Sequence, residues 1–172
     1  NRIFRDDPIK VNPYMGCISY SKKKVDELFE KHPYLISQIK NDGQFLNIFM
    51  NCEECFTARS GIKQHINGRV REMKETIEKN FKQKFIITGE LMIEGYDRHT
   101  ANGIIRSLIS SNKKISEGDT KEASKFLKKY GKSIEEIEDK LFVVAWDLVY
   151  LEEFLGTAEE DNRTAYTDRI KD

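Results

Sequence analysis

The chain has 172 residues, enough for one substantial hydrophobic core, and its 38% hydrophobic and 34% charged residues are typical of globular proteins. Its 29 Lys and Arg residues balance 29 Asp and Glu residues, so composition alone indicates no polyanionic partner and excludes none. No apolar run approaches the roughly 20 residues of a membrane-spanning helix, and the polar first residues contain no signal-peptide core. We therefore expect one domain in the cytoplasm, with no membrane partner.

The three cysteines are an odd number in a chain without an export signal, which favours reduced thiols over a disulfide framework. Cys52 and Cys55 have the CxxC spacing of half a zinc site or of a redox pair. Cys17 is the only other cysteine, and no second CxxC or His pair completes four ligands. We expect no zinc site.

The first predicted elements flank Lys40. Residues 34–39 are predicted to form a short strand bounded by Pro33 and by the turn at Asp42 and Gly43. The apolar residues within 45–50 predict a second strand after that turn, so that the two strands form a hairpin-like unit. Lys40 is thereby predicted at a junction between a strand and a turn.

The middle of the chain alternates helix and strand. Residues 67–81 are predicted to be an amphipathic helix. Residues 85–93 are predicted to be an apolar strand interrupted by Glu90. The apolar face predicted for the helix consists of Val70, Met73, Ile77 and Phe81.

Two further helices and a strand are predicted in the second half, at residues 102–110, 120–130 and 141–150. Gly131 is placed as a helix C-cap, and the hydrophobic residues 141–150 are typical of a buried strand. Residues 111–140 are rich in Lys and Glu and are predicted to be solvated helix surface, without chemistry. The apolar face predicted for residues 120–130 consists of Ala123, Phe126, Leu127 and Tyr130.

Two carboxylates stand inside predicted strands, at Glu90 and Asp147. Because an unpaired carboxylate loses its hydration when it is buried, each requires a cation, a set of hydrogen-bond donors or a water-filled cleft. The pair therefore indicates a functional site. Either residue alone is better explained by the solvated face of an edge strand or by an ion pair to a lysine.

Lys40 is a candidate nucleophile. An amine attacks only when it is deprotonated, and burial or neighbouring cations lower its pKa enough for this. The turn at Asp42 and Gly43 follows it directly, and glycine allows the backbone to approach a ligand closely. A lysine at a strand end inside a cleft meets these conditions.

Four short segments resemble, in order, the motifs of the covalent nucleotidyltransferases, which include ATP-dependent DNA ligases, RNA ligases and mRNA capping enzymes. Residues 40–43 read KNDG and resemble motif I, KxDG; residues 58–61 read ARSG and resemble motif Ia, SRxG. Residues 89–91 read GEL and resemble motif III, DGEL; residues 145–149 read AWDLV and resemble motif IIIa. Residues 98–104, RHTANGI, are similar to a segment of bacteriophage-type ATP-dependent DNA ligases.

This resemblance implies a reaction at Lys40. Lys40 would attack the α-phosphate of ATP, expel pyrophosphate and carry AMP as a phosphoramidate. AMP would then pass to the 5′-phosphate of a nick in double-stranded DNA, and the 3′-hydroxyl would displace it and seal the strand. Mg²⁺ is implied as the ion that neutralises the triphosphate. The setting implied is DNA replication or repair in a bacterial or phage-infected cell.

The resemblance also assigns nucleotide-binding roles to five residues. Gln38 would accept a hydrogen bond from the adenine amino group, and Ile39 beside it would line the nucleotide site. Trp146 would stack on adenine, and Arg59 would contact the sugar or a phosphate. Glu90 would bind the ribose or the divalent metal.

The fold implied is α+β: an ATP-grasp-like nucleotidyltransferase adenylation domain with antiparallel sheets flanked by helices and an ATP cleft between them. Residues 1–172 are expected to be part of that domain, truncated at the C-terminus and without its OB-fold domain. The chain departs from the family pattern in three ways. Phe45 replaces the usual arginine of motif I, and Thr88 replaces the usual aspartate of motif III. No EGxV segment like motif IV and no KxK segment like motif V follows Trp146. We expect a monomer that is weakly active or inactive alone.

Two alternatives stay open. An RNA ligase shares motifs I to IIIa, and the sequence does not identify the sugar of the substrate. A degenerate, non-catalytic module that binds a nucleotide or DNA is favoured by Phe45 and by the missing motifs.

Overall fold

One four-stranded antiparallel sheet organises the part of the chain that the computed structural model describes, which is residues 21–34, 41–53, 56–155 and 168. The strands lie in the order β2-β1-β3-β4 and alternate with helices along the chain. The predicted α+β class is confirmed. The elements are α1 Lys22–Lys31, β1 Gln44–Met50, β2 Phe56–Thr57, α2 Gly68–Asn80, β3 Phe85–Ile93, α3 Arg98–Ser116, α4 Glu122–Tyr130, α5 Ile134–Glu138, β4 Leu141–Tyr150 and α6 Leu151–Phe154.

Helices α2 and α3 cover one face of the sheet. Alternate β1 residues point to this face, and Leu46, Ile48 and Met50 are all at most 1% exposed there. Ile105 and Leu108 of α3 pack against them and are fully buried. Burial of each such side chain stabilises the fold by about 1.5–3 kcal/mol before conformational entropy is counted. This is the main hydrophobic core.

The opposite face of the sheet is covered at one end by α6. Phe49 of β1 shares this face with Ile86 and Val149, and the three are fully buried. The Phe154 ring packs edge-on against Phe49, with 5.5 Å between the ring centroids. This second cluster is smaller than the main core. Helix α6 does not cover the other end of the same face.

The predicted strands at 85–93 and 141–150 are confirmed at their ends, but two details were wrong. Glu90 does not interrupt β3, because it lies opposite Phe45 on one side and Val144 on the other. Strand β4 is an edge strand of the described sheet rather than a buried one, and Leu148 and Tyr150 are 39% and 49% exposed. A continuous apolar run did not distinguish an edge strand from a central one.

The predicted helices are present with shifted ends and faces. The predicted helix 102–110 is a longer one, α3, because the Asp97 side chain caps its start by accepting hydrogen bonds from the backbone N–H groups of His99 and Thr100. The Thr100 hydroxyl and these N–H groups lower the pKa of Asp97. Gly131 ends α4 at a φ of 67°, as predicted.

Several apolar residues do not lie where the predicted faces placed them. Phe81 follows α2 as its C-cap and is 57% exposed, while Ala123 and Leu127 lie on the exposed side of α4. Residues 111–140 are not only solvated surface, since Asn112 and Glu138 are buried and hydrogen-bonded to each other at 2.6 Å. Of the strand predicted at 34–39, all but the first residue lie outside the described residues.

No helix in the described part of the chain is both long and apolar enough to cross a bilayer.

Candidate functional site

Two predicted site residues, Glu90 and Trp146, lie with Phe45 at the end of the sheet that α6 leaves uncovered. Phe45 of β1 lies directly opposite Glu90 of β3, so both side chains point to the same face. Strand β4 contains a bulge, because Thr88 pairs with Asp147 whereas the next residue of β3, Gly89, pairs with Ala145. Trp146 is the extra residue of this bulge. Phe45, Glu90 and Trp146 are all half-buried. They are accessible to a ligand while remaining supported by the sheet.

Phe45 contacts both Arg59 and Trp146. The Phe45 and Trp146 rings are tilted at 59°, with their centroids 6.1 Å apart. The Arg59 guanidinium carbon lies 4.6 Å from the Phe45 ring centroid, within the range of a cation–π contact. We call Arg59, Phe45 and Trp146 the aromatic cluster. Its flat rings and one fixed cation suit a planar, negatively charged ligand.

A row of buried polar side chains lies beside the aromatic cluster on the same face. Thr57, Asn47, Thr88 and Asp147 are register neighbours across the four strands, and each is at most 7% exposed. The Thr88 hydroxyl donates to Asn47 Oδ1 at 3.0 Å, and Asn47 Nδ2 donates to Thr57 Oγ1 at 3.4 Å. Asp147 Oδ1 accepts the backbone N–H of Leu148 at 2.8 Å. This polar row satisfies buried groups that apolar neighbours would leave unpaired.

The described end of the KNDG segment packs against β3. A Cβ on Gly43 would lie 2.6 Å from the Leu91 carbonyl oxygen and 2.9 Å from the Glu90 Cβ, so only glycine fits. The sequence predicted close approach to a ligand here, whereas the observed close approach is to the strand that carries Glu90. Asp42 forms an ion pair of 2.8 Å with Arg98 at the start of α3. These contacts connect the segment after Lys40 to two structural elements.

The described residues contain no group of three or more His, Cys, Asp and Glu side chains that could hold a metal ion. Glu90 is still a suitable partner for Mg²⁺, because Mg²⁺ is commonly held by one or two carboxylates together with substrate phosphates and water.

The thiol of Cys52 donates to the Met50 carbonyl oxygen at 3.4 Å, and Cys55 lies outside the described residues.

The structure thus brings Arg59, Glu90 and Trp146 around Phe45. The other predicted site residues, Gln38, Ile39 and Lys40, lie outside the described residues.

Phe45 was recognised in the sequence only as a departure from a motif, and no role was predicted for Asn47. The signal was present as a period of two, since Phe45, Asn47 and Phe49 alternate with the core residues of β1.

The comparisons with known proteins agree with the resemblance. No family model matches the chain. The DNA ligase of Escherichia phage T7 is 29% identical over 108 residues, which are 58% of this chain and 30% of that protein. The DNA ligase of Enterobacteria phage T3 is 27% identical over 114 residues, 61% of this chain and 31% of that protein. The chain thus spans less than a third of the length of these curated relatives.

A solved structure, the ATP-dependent DNA ligase from bacteriophage T7 in complex with ATP, matches with a TM-score of 0.57 at 21% identity. The match covers 90% of this chain and 46% of that protein. The fold is therefore that of part of this ligase, and the sequence resemblance to bacteriophage DNA ligases is confirmed.

Proposed function

We propose that this chain, similar to bacteriophage DNA ligases over part of their length, is part of the adenylation domain of an ATP-dependent DNA ligase. The observation that carries the proposal is the aromatic cluster beside Glu90. Segments that resemble motifs Ia, III and IIIa supply Arg59, Glu90 and Trp146, and the fold gathers all three around Phe45. The whole enzyme would seal nicks in DNA replication or repair, as a monomer in the cytoplasm of a bacterial or phage-infected cell.

The nucleotide would lie against the aromatic cluster. Trp146 would stack on adenine, since an indole offers a large flat surface, and Phe45, tilted at 59° to the indole, would support it from β1. Arg59, held over Phe45, would donate hydrogen bonds to the sugar or a phosphate. Gln38 and Ile39 would complete the adenine site.

The reacting atom would be Nζ of Lys40. In its deprotonated form it would attack the α-phosphorus of ATP, forming a P–N bond as the bond to pyrophosphate breaks and the amine loses a proton. A 5′-phosphate oxygen at the nick would then displace Lys40 from AMP, and the 3′-hydroxyl would displace AMP. Glu90 would bind the ribose or hold Mg²⁺, which when bound neutralises phosphate charge.

Transfer of a labelled AMP group tests the proposal. The longest polypeptide that the gene encodes, and the 172-residue chain beside it, are incubated with ATP labelled on the α-phosphate and with Mg²⁺. We expect a covalent, acid-labile label in the long form and little or none in the short one. Lys40→Ala should abolish the label, whereas Lys79→Ala, at an exposed position of α2, should retain it.

A long form that takes no label, or a label that survives Lys40→Ala, would overturn the ligase mechanism and favour a non-catalytic nucleotide- or DNA-binding module. Sealing of nicked RNA but not of nicked DNA by the labelled enzyme would instead identify an RNA ligase.

A further inference from the structure

A pocket of about 310 Å³ opens between α3 and α4, away from the aromatic cluster. Four cationic side chains line it, from Arg106, Lys114, Lys125 and Lys129. The carboxylate among the lining residues is that of Glu122. At neutral pH the lining therefore carries an excess of positive charge.

Glu122 holds two of these cations in place. Its side chain is 9% exposed, and its carboxylate lies 3.2 Å from the Lys114 ammonium and 3.4 Å from that of Lys125. The Ser111 hydroxyl donates to the same carboxylate at 3.0 Å. Burial raises the pKa of Glu122, but hydrogen bonds from Lys114, Ser111 and Lys125 outweigh it and lower that pKa below its ordinary value. Glu122 is thus ionised and keeps both ammonium groups at the pocket, and Asp119 lies 3.5 Å from the same Lys125 ammonium.

The other two cations have no such counterion among the described residues. Neither Arg106 nor Lys129 lies within ion-pair distance of a carboxylate in the part of the chain that the structure describes. The Lys129 ammonium lies 4.9 Å from the Tyr130 ring centroid. Hydroxyl groups complete the lining, with Ser107 Oγ and Tyr130 OH 2.5 Å apart. A guanidinium, ammonium groups and hydroxyls are the donors that phosphate oxygens accept in proteins.

The pocket lies in the basic region of an otherwise acidic chain. Residues 98–132 contain nine Lys or Arg and three Asp or Glu, a net charge of +6, while the whole chain has a net charge of zero. The remaining residues therefore carry −6 in total. Charge separation of this kind attracts polyanions to one side of a neutral protein.

We propose that the α3–α4 pocket is a phosphate-binding site, filled by a backbone phosphate of nucleic acid or by free inorganic phosphate. The guanidinium of Arg106 and the ammonium of Lys129, both among the lining residues, recognise the phosphate. The site goes beyond the proposed function, because it involves neither Lys40 nor the aromatic cluster and binds without any covalent step.

The first test measures DNA binding. A fluorescently labelled nicked duplex is titrated with the protein and with Arg106→Ala/Lys129→Ala, and anisotropy is followed at several salt concentrations. The matched control is Arg69→Ala/Lys79→Ala, which removes the same charges from exposed positions of α2. We expect the pocket variant to bind about fivefold to tenfold more weakly at low salt, with a salt-dependence slope smaller by about 1, the value for one lost phosphate contact. The control should keep the slope.

The second test uses inorganic phosphate as the probe. Amide NMR shifts of the protein are followed during a phosphate titration at constant ionic strength. Saturable shifts at Ser107, Ser111 and Tyr130, lost in Arg106→Gln/Lys129→Gln, support the site, and circular dichroism checks that each variant is folded. Weakened duplex binding in the pocket variant identifies nucleic acid as the source of the phosphate. Shifts without a change in duplex binding identify free phosphate. Duplex binding equal to that of the control, together with no saturable shifts, overturns the proposal.

Discussion

The two faces of β1 have different roles, although they belong to the same strand. On the face covered by α2 and α3, Leu46, Ile48 and Met50 are uniformly apolar and buried. On the other face, the side chains change from half-buried Phe45 through buried polar Asn47 to Phe49, which packs under α6.

The difference shows how a strand carries a site without weakening its core. Because side chains alternate between faces, one strand stabilises the fold with every second residue and leaves the others for polar contacts and ligands. Substitutions on the covered face should therefore reduce stability, and substitutions at the open end of the other face should reduce binding.

The largest expected effect is on the covered face. Ile48→Ala creates a cavity at a fully buried position, and we expect the free energy of unfolding to fall by about 2–5 kcal/mol. Phe45→Ala removes a larger side chain from a half-buried position and should cost less. Urea unfolding of both variants measures the difference. Equal losses would show that the two faces contribute alike.

The next effect concerns Gly43, where the segment after Lys40 packs on β3. Gly43→Ala places a Cβ 2.6 Å from the Leu91 carbonyl oxygen, and we expect a loss of about 1–3 kcal/mol in the free energy of unfolding. Gly103→Ala is the matched control, because a Cβ there meets nothing within 4 Å and α3 gains a better helix former. The control should be neutral or more stable in the same urea titration. Destabilisation by both substitutions would argue against the close packing on β3.

An effect of similar size is expected in the polar row. Thr88→Val keeps the shape but removes the hydroxyl that donates to Asn47, and leaves a buried amide oxygen without that donor. We expect the free energy of unfolding to fall by about 1–3 kcal/mol. Thr76→Val, at an exposed hydroxyl of α2, serves as the control and should change it by less than about 0.5 kcal/mol. A neutral Thr88→Val would show that the row contributes nothing to stability.

At the open end, Phe45→Leu should affect binding more than folding. It keeps an apolar side chain but removes the ring beneath Arg59, and a lost cation–π contact of about 0.5–1 kcal/mol corresponds to an ATP affinity about twofold to fivefold weaker. Calorimetric titration with ATP measures this. Phe81→Leu, at an exposed phenylalanine distant in sequence, should leave the affinity unchanged. Unchanged affinity in Phe45→Leu would remove Phe45 from the proposed site.

The smallest effect is a pH dependence from Glu138, which lies on α5 beside the covered core. Burial raises the pKa of Glu138 above its ordinary value, although the hydrogen bond from Asn112 opposes the shift. The folded state then keeps this proton to a higher pH than the unfolded state, so stability falls as pH rises between the two pKa values. Glu138→Gln should remove this part of the pH dependence. Unfolding free energies measured from about pH 4 to pH 7 in both proteins would show parallel curves if the pKa were unshifted.

Periodicity was enough to predict most of the fold. The strands at residues 85–93 and 141–150 and the C-cap at Gly131 were predicted because alternation, apolar runs and glycine after a helix are local signals. Asp97 was missed as the N-cap of α3, and the edge position of β4 was missed because position in a sheet depends on which strands pair.

The sequence by itself determined the α+β class, the order of the motif-like segments and the candidates Arg59, Glu90 and Trp146. Only the tertiary structure decided that Phe45 joins Arg59 to Trp146 and that Gly43 packs against the strand of Glu90. The tertiary structure also decided that charged residues of α3 and α4, which belong to no motif, line a pocket. The physical reason is that composition and period are properties of neighbours along the chain, whereas register, bulges and helix packing bring together residues that are distant along it.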